Sequence, residues 1–150
     1  MSETTNSEDK RKHLEMIQGV INRMASNSFL FKGWSITIIA AISAFAAKDT
    51  SSALMIIPIV SGFLFWAVDG YYLMLERAFR RLYDDVAKKS ATKIDFRMDV
   101  KNMGIGFKDW FRTILRPVLA TFYGTVILML LVLVGILNNF WLEVILHHGS

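Results

Sequence analysis

PVLATFYGTVILMLLVLVGILNNFWL, Pro117 to Leu142, runs for 26 residues without a charged side chain. A helix needs about 20 predominantly apolar residues to cross a hydrocarbon core of roughly 30 Å, so this stretch is long enough to span a bilayer. Its first residue is a proline, which is tolerated at a helix start because the missing N–H would have no partner there. Two further stretches qualify. FLFKGWSITIIAAISAFAA (Phe29 to Ala47) carries Lys32 and Trp34 at interfacial depth, and ALMIIPIVSGFLFWAVDGYYLML (Ala53 to Leu75) carries Pro58 in its first turns.

Composition agrees. The 150 residues are 53% hydrophobic and 20% charged, with mean hydropathy +0.38 and a pI near 9.5. A soluble domain carries about 45–50% apolar and about 25% charged residues, and here the apolar excess is gathered into blocks. That pattern excludes a disordered chain and an ordinary soluble enzyme domain. The expected fold class is an all-α integral membrane protein with three transmembrane helices, an amphipathic N-terminal helix and a cytoplasmic helical extension.

The basic residues set the orientation. Five (Lys10, Arg11, Lys12, Arg23, Lys32) precede or open the first span, Lys48 lies alone in the next loop, and eleven lie between the second and third spans, from Arg77 to Arg116. The positive-inside rule then places the N-terminus in the cytoplasm and the C-terminus outside. No signal peptide is expected, since 28 polar or amphipathic residues precede the first span. The chain divides into a cytoplasmic amphipathic segment (1–28), the first and second transmembrane helices (29–75), a basic cytoplasmic segment (76–116), the third transmembrane helix (117–146) and a tail (147–150).

The N-terminal segment has a capping-box pattern, Thr5 with Glu8, and apolar Leu14, Ile17, Ile21 and Met24 at helical spacing, with Asn27 and Ser28 offering a break before the first span. Beyond the second span, ERAFRRLYDDVAKK keeps the helical period, with Leu75, Phe79, Leu82 and Val86 on one stripe and three acid-first i,i+4 pairs. From Ile94 to Lys101 apolar and charged residues alternate; the pattern is an extended loop or a strand that pairs with another subunit. GFKDWFRTILRP then restores a helix, aromatic on one face and basic (Lys108, Arg112, Arg116) on the other, as an interfacial helix requires.

No catalytic constellation is visible, so no enzyme is expected. Without cysteine, and with three scattered histidines, no metal site and no cofactor are expected. Asp69 is the acid within a span; hydrogen bonding to Tyr71 or Tyr72 of a neighbour, pairing with Lys32, and a functional role all stay open. Ala40, Ser43, Ala44 and Ala47 of the first span have small-residue spacing for close helix contact. In the third span Thr121, Thr125, Leu128, Val132, Gly135 and Asn139 form a stripe that is a helix contact or, in an oligomer, a polar-ended pore path with an apolar middle. The basic layer Arg77, Arg80, Arg81, Lys88, Lys89, Arg97 and Lys101, with Tyr83 and Phe96 able to stack on bases, suits a phosphate-bearing ligand and equally marks the cytoplasmic side.

The segments RMASNSFLFKGW (Arg23 to Trp34) and FWAVDGYYLMLERAFRRLYDDV (Phe65 to Val86) resemble those of small bacterial membrane proteins encoded beside a nucleotidyltransferase in anti-phage defence operons, the membrane effectors of Hailong-type systems. The resemblance covers about a third of the chain. It implies a homo-oligomeric channel effector of the bacterial inner membrane, gated by a nucleotide or oligonucleotide that the partner enzyme makes, with a periplasmic C-terminus. Unpartnered stripes independently favour a symmetric oligomer, a tetramer or similar small number. The alternative is a non-conducting anchor that holds a cytoplasmic partner on its Leu14 and Phe79 stripes.

Overall fold

A computed structural model describes residues 2–47, 54 and 56–148. Lys48 and Ala53, the loop cation and the expected first residue of the second span, lie outside the described residues, as do the last two of the tail. Among the described residues four α-helices follow one another: α1 (Ser2–Ala46), α2 (Ile56–Lys88), α3 (Phe107–Ile114) and α4 (Pro117–His148), with a 3-10 turn at Ala91–Lys93. The fold is all-helical, and no strand forms among the described residues. Among the described residues three helices are long and apolar enough to cross a membrane, which indicates a multi-pass membrane protein.

At 45 residues α1 is about 68 Å long, more than twice the thickness of a hydrocarbon core. It contains no break at Asn27 and Ser28. The Ser28 hydroxyl donates to the Asp69 carboxylate of α2. Nor is Thr5 a cap, because α1 already begins at Ser2. α2 runs unbroken through the predicted cytoplasmic extension to Lys88, and Pro58 sits buried in its first turn, where an amide would lack an intrahelical partner.

The chain forms two compact units. The first joins the residues through Phe29 with Asp69–Ile114; the second joins Leu30–Val68 with the residues from Leu115 onward. In the first unit Ile17 and Ile21 of α1 are buried with Ala78, Leu82 and Val86 of α2. Val100 comes from the alternating segment, which contributes it and the half-buried Ile94 while Phe96 and Met98 remain exposed. With no neighbouring strand to complete a ladder inside the chain, the period-2 pattern yields irregular backbone anchored at its ends. Lys10 closes the end of α2, its ammonium donating to the carbonyls of Ala87 (2.9 Å) and Lys89 (2.7 Å). A cation here satisfies acceptors that a helix C-terminus leaves open.

The amphipathic α3 is shared between two environments. Thr113 is buried and Trp110 and Ile114 are half-buried, whereas Phe107 (76% exposed) and Phe111 face outward together, ring centroids 6.5 Å apart. A Cβ at Gly70 of α2 would collide with Ile114 Cγ2.

The second unit packs Ser35, Ile39, Ser43 and Ala46 of α1, Gly62 of α2, and Leu119, Tyr123, Ile127 and Leu130 of α4. Gly62 approaches Ile127 and Ile39, and Trp66 stacks on the buried Tyr123 at 6.1 Å. Of the expected small-residue contact, Ser43 is buried but Ala40 and Ala44 are exposed. Hydroxyls in these helices bond back one turn: Ser43 to Ile39 O (2.7 Å), Ser61 to Ile57 O (2.9 Å) and Thr121 to Pro117 O (2.5 Å). An apolar surround makes such internal partners necessary.

Two stability outcomes follow. Gly70→Ala forces Ile114 and α3 to shift, and lowers stability by about 1–3 kcal/mol. Lys10→Met removes both caps on α2 and costs about 1–2 kcal/mol. The thermal unfolding midpoint of each variant in detergent, read beside that of the parent chain, checks both; unchanged midpoints refute these contacts.

Candidate functional site

In the first unit, the segment after α2 bends back over the N-terminal part of α1 and leaves a cavity of about 290 Å³. α1 contributes His13; α2 contributes Leu82, Asp85, Val86 and Lys89, the last just past its end; the segment contributes Phe96, Arg97, Asp99 and Asn102 among others. His13 is 1% exposed, and neither ring nitrogen has a hydrogen-bond partner. Phe96 meets it edge-on, centroids 5.5 Å apart at 71°. The Phe96 backbone has φ of 33°, a left-handed conformation that costs a non-glycine residue on the order of 1–3 kcal/mol. Phe96 and His13 also line a second hollow of about 310 Å³ with Asp9, Lys12 and Met16, so this ring pair stands between two cavities.

The charges around the first cavity are nearly matched. Asp85 accepts from Lys89 at 2.5 Å and Asp95 pairs with Arg97 at 3.2 Å, while Asp99 accepts the Lys101 backbone N–H at 2.9 Å. Three carboxylates and two cations therefore line it.

Of the nine residues assigned from sequence to a phosphate-bearing ligand, Lys89, Phe96 and Arg97 meet at this cavity. The others stand apart from its lining. Arg80 pairs with the nearly buried Glu76 at 2.8 Å, and the Arg81 guanidinium donates to the Met103 carbonyl beside Gly104, which has φ of 75°. Arg77 is half-buried and Tyr83 packs against the first unit's core. Lys88 and Lys101 are exposed.

In the second unit the six stripe residues of α4 share one uncovered face. Thr121, Thr125, Leu128 (61%), Val132 (55%), Gly135 and Asn139 are all exposed, whereas Leu119, Tyr123, Ile127 and Leu130 on the opposite side are buried. The exposed stripe steps by four and three residues alternately, the spacing of a helix seam that meets another helix along its length.

Sequence reasoning missed His13, Ser28, Asp99 and Asn102. His13 had a signal: it precedes Ile17 and Ile21 by successive steps of four, on the stripe that α1 buries. Ser28 and Asp69, 41 residues apart, offered none, because each reads alone as a polar residue near an apolar run.

Arg81→Met takes from the Met103 carbonyl a donor that water can partly replace at this exposed position, and lowers stability by about 0.5–1.5 kcal/mol. Lys88→Gln and Lys101→Gln, at exposed side chains, change it by less than about 0.5 kcal/mol. Equal unfolding midpoints for all three variants refute the structural assignment of Arg81.

Comparison with known proteins finds no matching family model, no matching curated protein and no matching solved structure.

Proposed function

We propose that the protein is a membrane effector of bacterial anti-phage defence, an oligomeric ion channel or pore gated by a nucleotide or oligonucleotide signal. The observation that carries this reading is the α4 face from Thr121 to Asn139, exposed at every stripe position within one chain. Copies of that face around an axis would make a path with hydroxyl and amide groups at its ends and Leu128 and Val132 at its middle. An apolar ring of that kind closes a narrow path by excluding water. The local resemblance to Hailong-type effectors supports the signal and the setting: the inner membrane, N-terminus cytoplasmic and C-terminus periplasmic, with the signal made by a nucleotidyltransferase.

The first unit is the signal-binding part in this reading. Lys89, Phe96 and Arg97 gather at its cavity, and α1 and α2 each supply residues to both units without a helix break. Leu14 and Phe79, on which the alternative anchor reading seats a partner, are half-buried and pack against the first unit's own core.

Ion flux through proteoliposomes tests the proposal. Leu128→Ser and Val132→Ser wet the middle of the path and raise flux several-fold over the parent chain, whereas Ser at the equally exposed Phe45 leaves it unchanged. Absence of flux from the parent and both α4 variants, or an equal rise with Phe45→Ser, overturns it.

A further inference from the structure

We infer that α3 is a lipid-binding surface: Phe107 and Phe111 enter the acyl boundary of the bilayer, and Lys108 and Arg112 beside them hold anionic phospholipid headgroups. This surface follows from the membrane setting of the chain and needs neither the channel nor its signal.

Chain connectivity sets the height of α3. The uncharged run that opens α4 at Pro117 and ends at Leu142 makes about 39 Å of helix against a hydrocarbon core of roughly 30 Å, so its first residue lies at the headgroups. Only Leu115 and Arg116 separate Ile114, the last residue of α3, from Pro117. Fully extended, that link reaches about 11 Å, which keeps the C-terminal end of α3 at the membrane surface. A helix turns by about 100° per residue, and the positions of α3 accordingly form three faces. Thr113, buried, and Trp110, half-buried, turn toward the protein. Phe107 (76% exposed) and Phe111 (49%) form the second face, ring centroids 6.5 Å apart. Lys108 and Arg112, both exposed, form the third, about 100° beyond the rings. A helix lying in the interface with protein on one side points its rings down into the acyl boundary and its cations sideways at headgroup level.

Charge selects the lipid. Lys108 and Arg112 stand one helical turn apart, and like charges at that spacing weaken an isolated helix. The acid between them, Asp109, is half-buried and accepts the Gly106 N–H at 3.3 Å, so it caps the start of α3 and does not neutralise them. Arg80, Lys89 and Arg97 of the same unit are each paired with a carboxylate; among the described residues Lys108 and Arg112 are not. Two phenyl rings in water and two unpaired cations beside them are both unfavourable in the isolated chain. One occupant relieves both: a bilayer whose acyl chains take the rings and whose headgroup phosphates take the cations. Anionic headgroups do so best, since basic groups next to a span are drawn to a negatively charged leaflet.

The test is a depth measurement. The chain has no cysteine, so a nitroxide label on a single introduced one reports without background. Phe107→Cys and Phe111→Cys are labelled in the full chain, with Lys12→Cys as the water-exposed control, about 25 Å along α1 before the first span. Each is placed in nanodiscs of phosphatidylcholine, alone or with about 30% phosphatidylglycerol, and read for collision with oxygen, which concentrates among acyl chains, and with a water-soluble nickel chelate. Both α3 labels meet oxygen several-fold more, relative to nickel, than the control does. Phosphatidylglycerol lowers their nickel collision by a further factor of about two, and high salt removes that gain, as does the double variant Lys108→Gln, Arg112→Gln. Nickel collision at the α3 labels equal to that at the control overturns the surface. So does shielding from oxygen and nickel alike, which means that a protein or a second copy of the chain covers this face. A depth that phosphatidylglycerol leaves unchanged, or a gain that the double variant keeps, overturns the assignment of the headgroups. Should Phe111→Cys fail to fold, Phe107→Cys, at the more exposed ring, decides alone. Ion flux is no part of the readout, so the channel proposal stands or falls separately.

Discussion

Everything in the first unit depends on one helix pairing, the seating of Ile17 and Ile21 of α1 against Ala78, Leu82 and Val86 of α2. Neither helix could bury its stripe alone, and each stripe stands beside a charged face that must reach water. The pairing turns His13 inward, because a residue four positions before Ile17 lies on the same face. It also brings Ser28 to Asp69, and a carboxylate with 0% exposure is tolerable only when it is hydrogen-bonded. Lys10 then reaches the carbonyls that end α2. The polar features of the unit are thus consequences of an apolar contact.

The second unit obeys a different rule. Where water is absent, apolar area gives no preference between helix and lipid, so contacts rest on shape and on small residues. Gly62 between Ile39 and Ile127 is such a contact, and so is the stacking of Trp66 on Tyr123. Leu119, Tyr123, Ile127 and Leu130 use up one side of α4, and the threonine, glycine and asparagine positions fall on the other. Burying the bulky aromatic and leaving small polar groups outside is hard to explain by lipid contact alone, and it is the arrangement on which the channel proposal rests.

Much of the helical framework was legible because hydropathy and period are local properties. Uncharged runs marked the spans, and Leu82 and Val86 continued the α2 stripe beyond them. The helix continues through Asn27 and Ser28, where the sequence suggests a break, because a serine near a boundary looks the same whether its hydroxyl bonds its own backbone or a carboxylate 41 residues away. The alternation from Ile94 to Lys101 fits loop or strand equally, and the chain gives irregular backbone. Of the basic layer, sequence could list the cations but not their partners: Arg80 and Arg81 are occupied by Glu76 and the Met103 carbonyl, while Lys89 and Arg97 border a cavity. That distinction depends on contacts distant along the chain.

Lys10 carries a consequence for the order of assembly. Its acceptors lie 77 and 79 residues further along, and its neighbours Ile17 and Ile21 await partners almost as distant. Contacts of such separation form late, because the intervening chain must be ordered before they return any stability. On a ribosome, the N-terminal part of α1 emerges first and must hold its apolar stripe uncovered until α2 has followed the first span out. Nascent chains in that state are prone to stick to one another. The glutamates and basic residues between His13 and the start of the chain, joined as Glu8 with Arg11 and Lys12, keep that waiting segment charged and soluble during the interval.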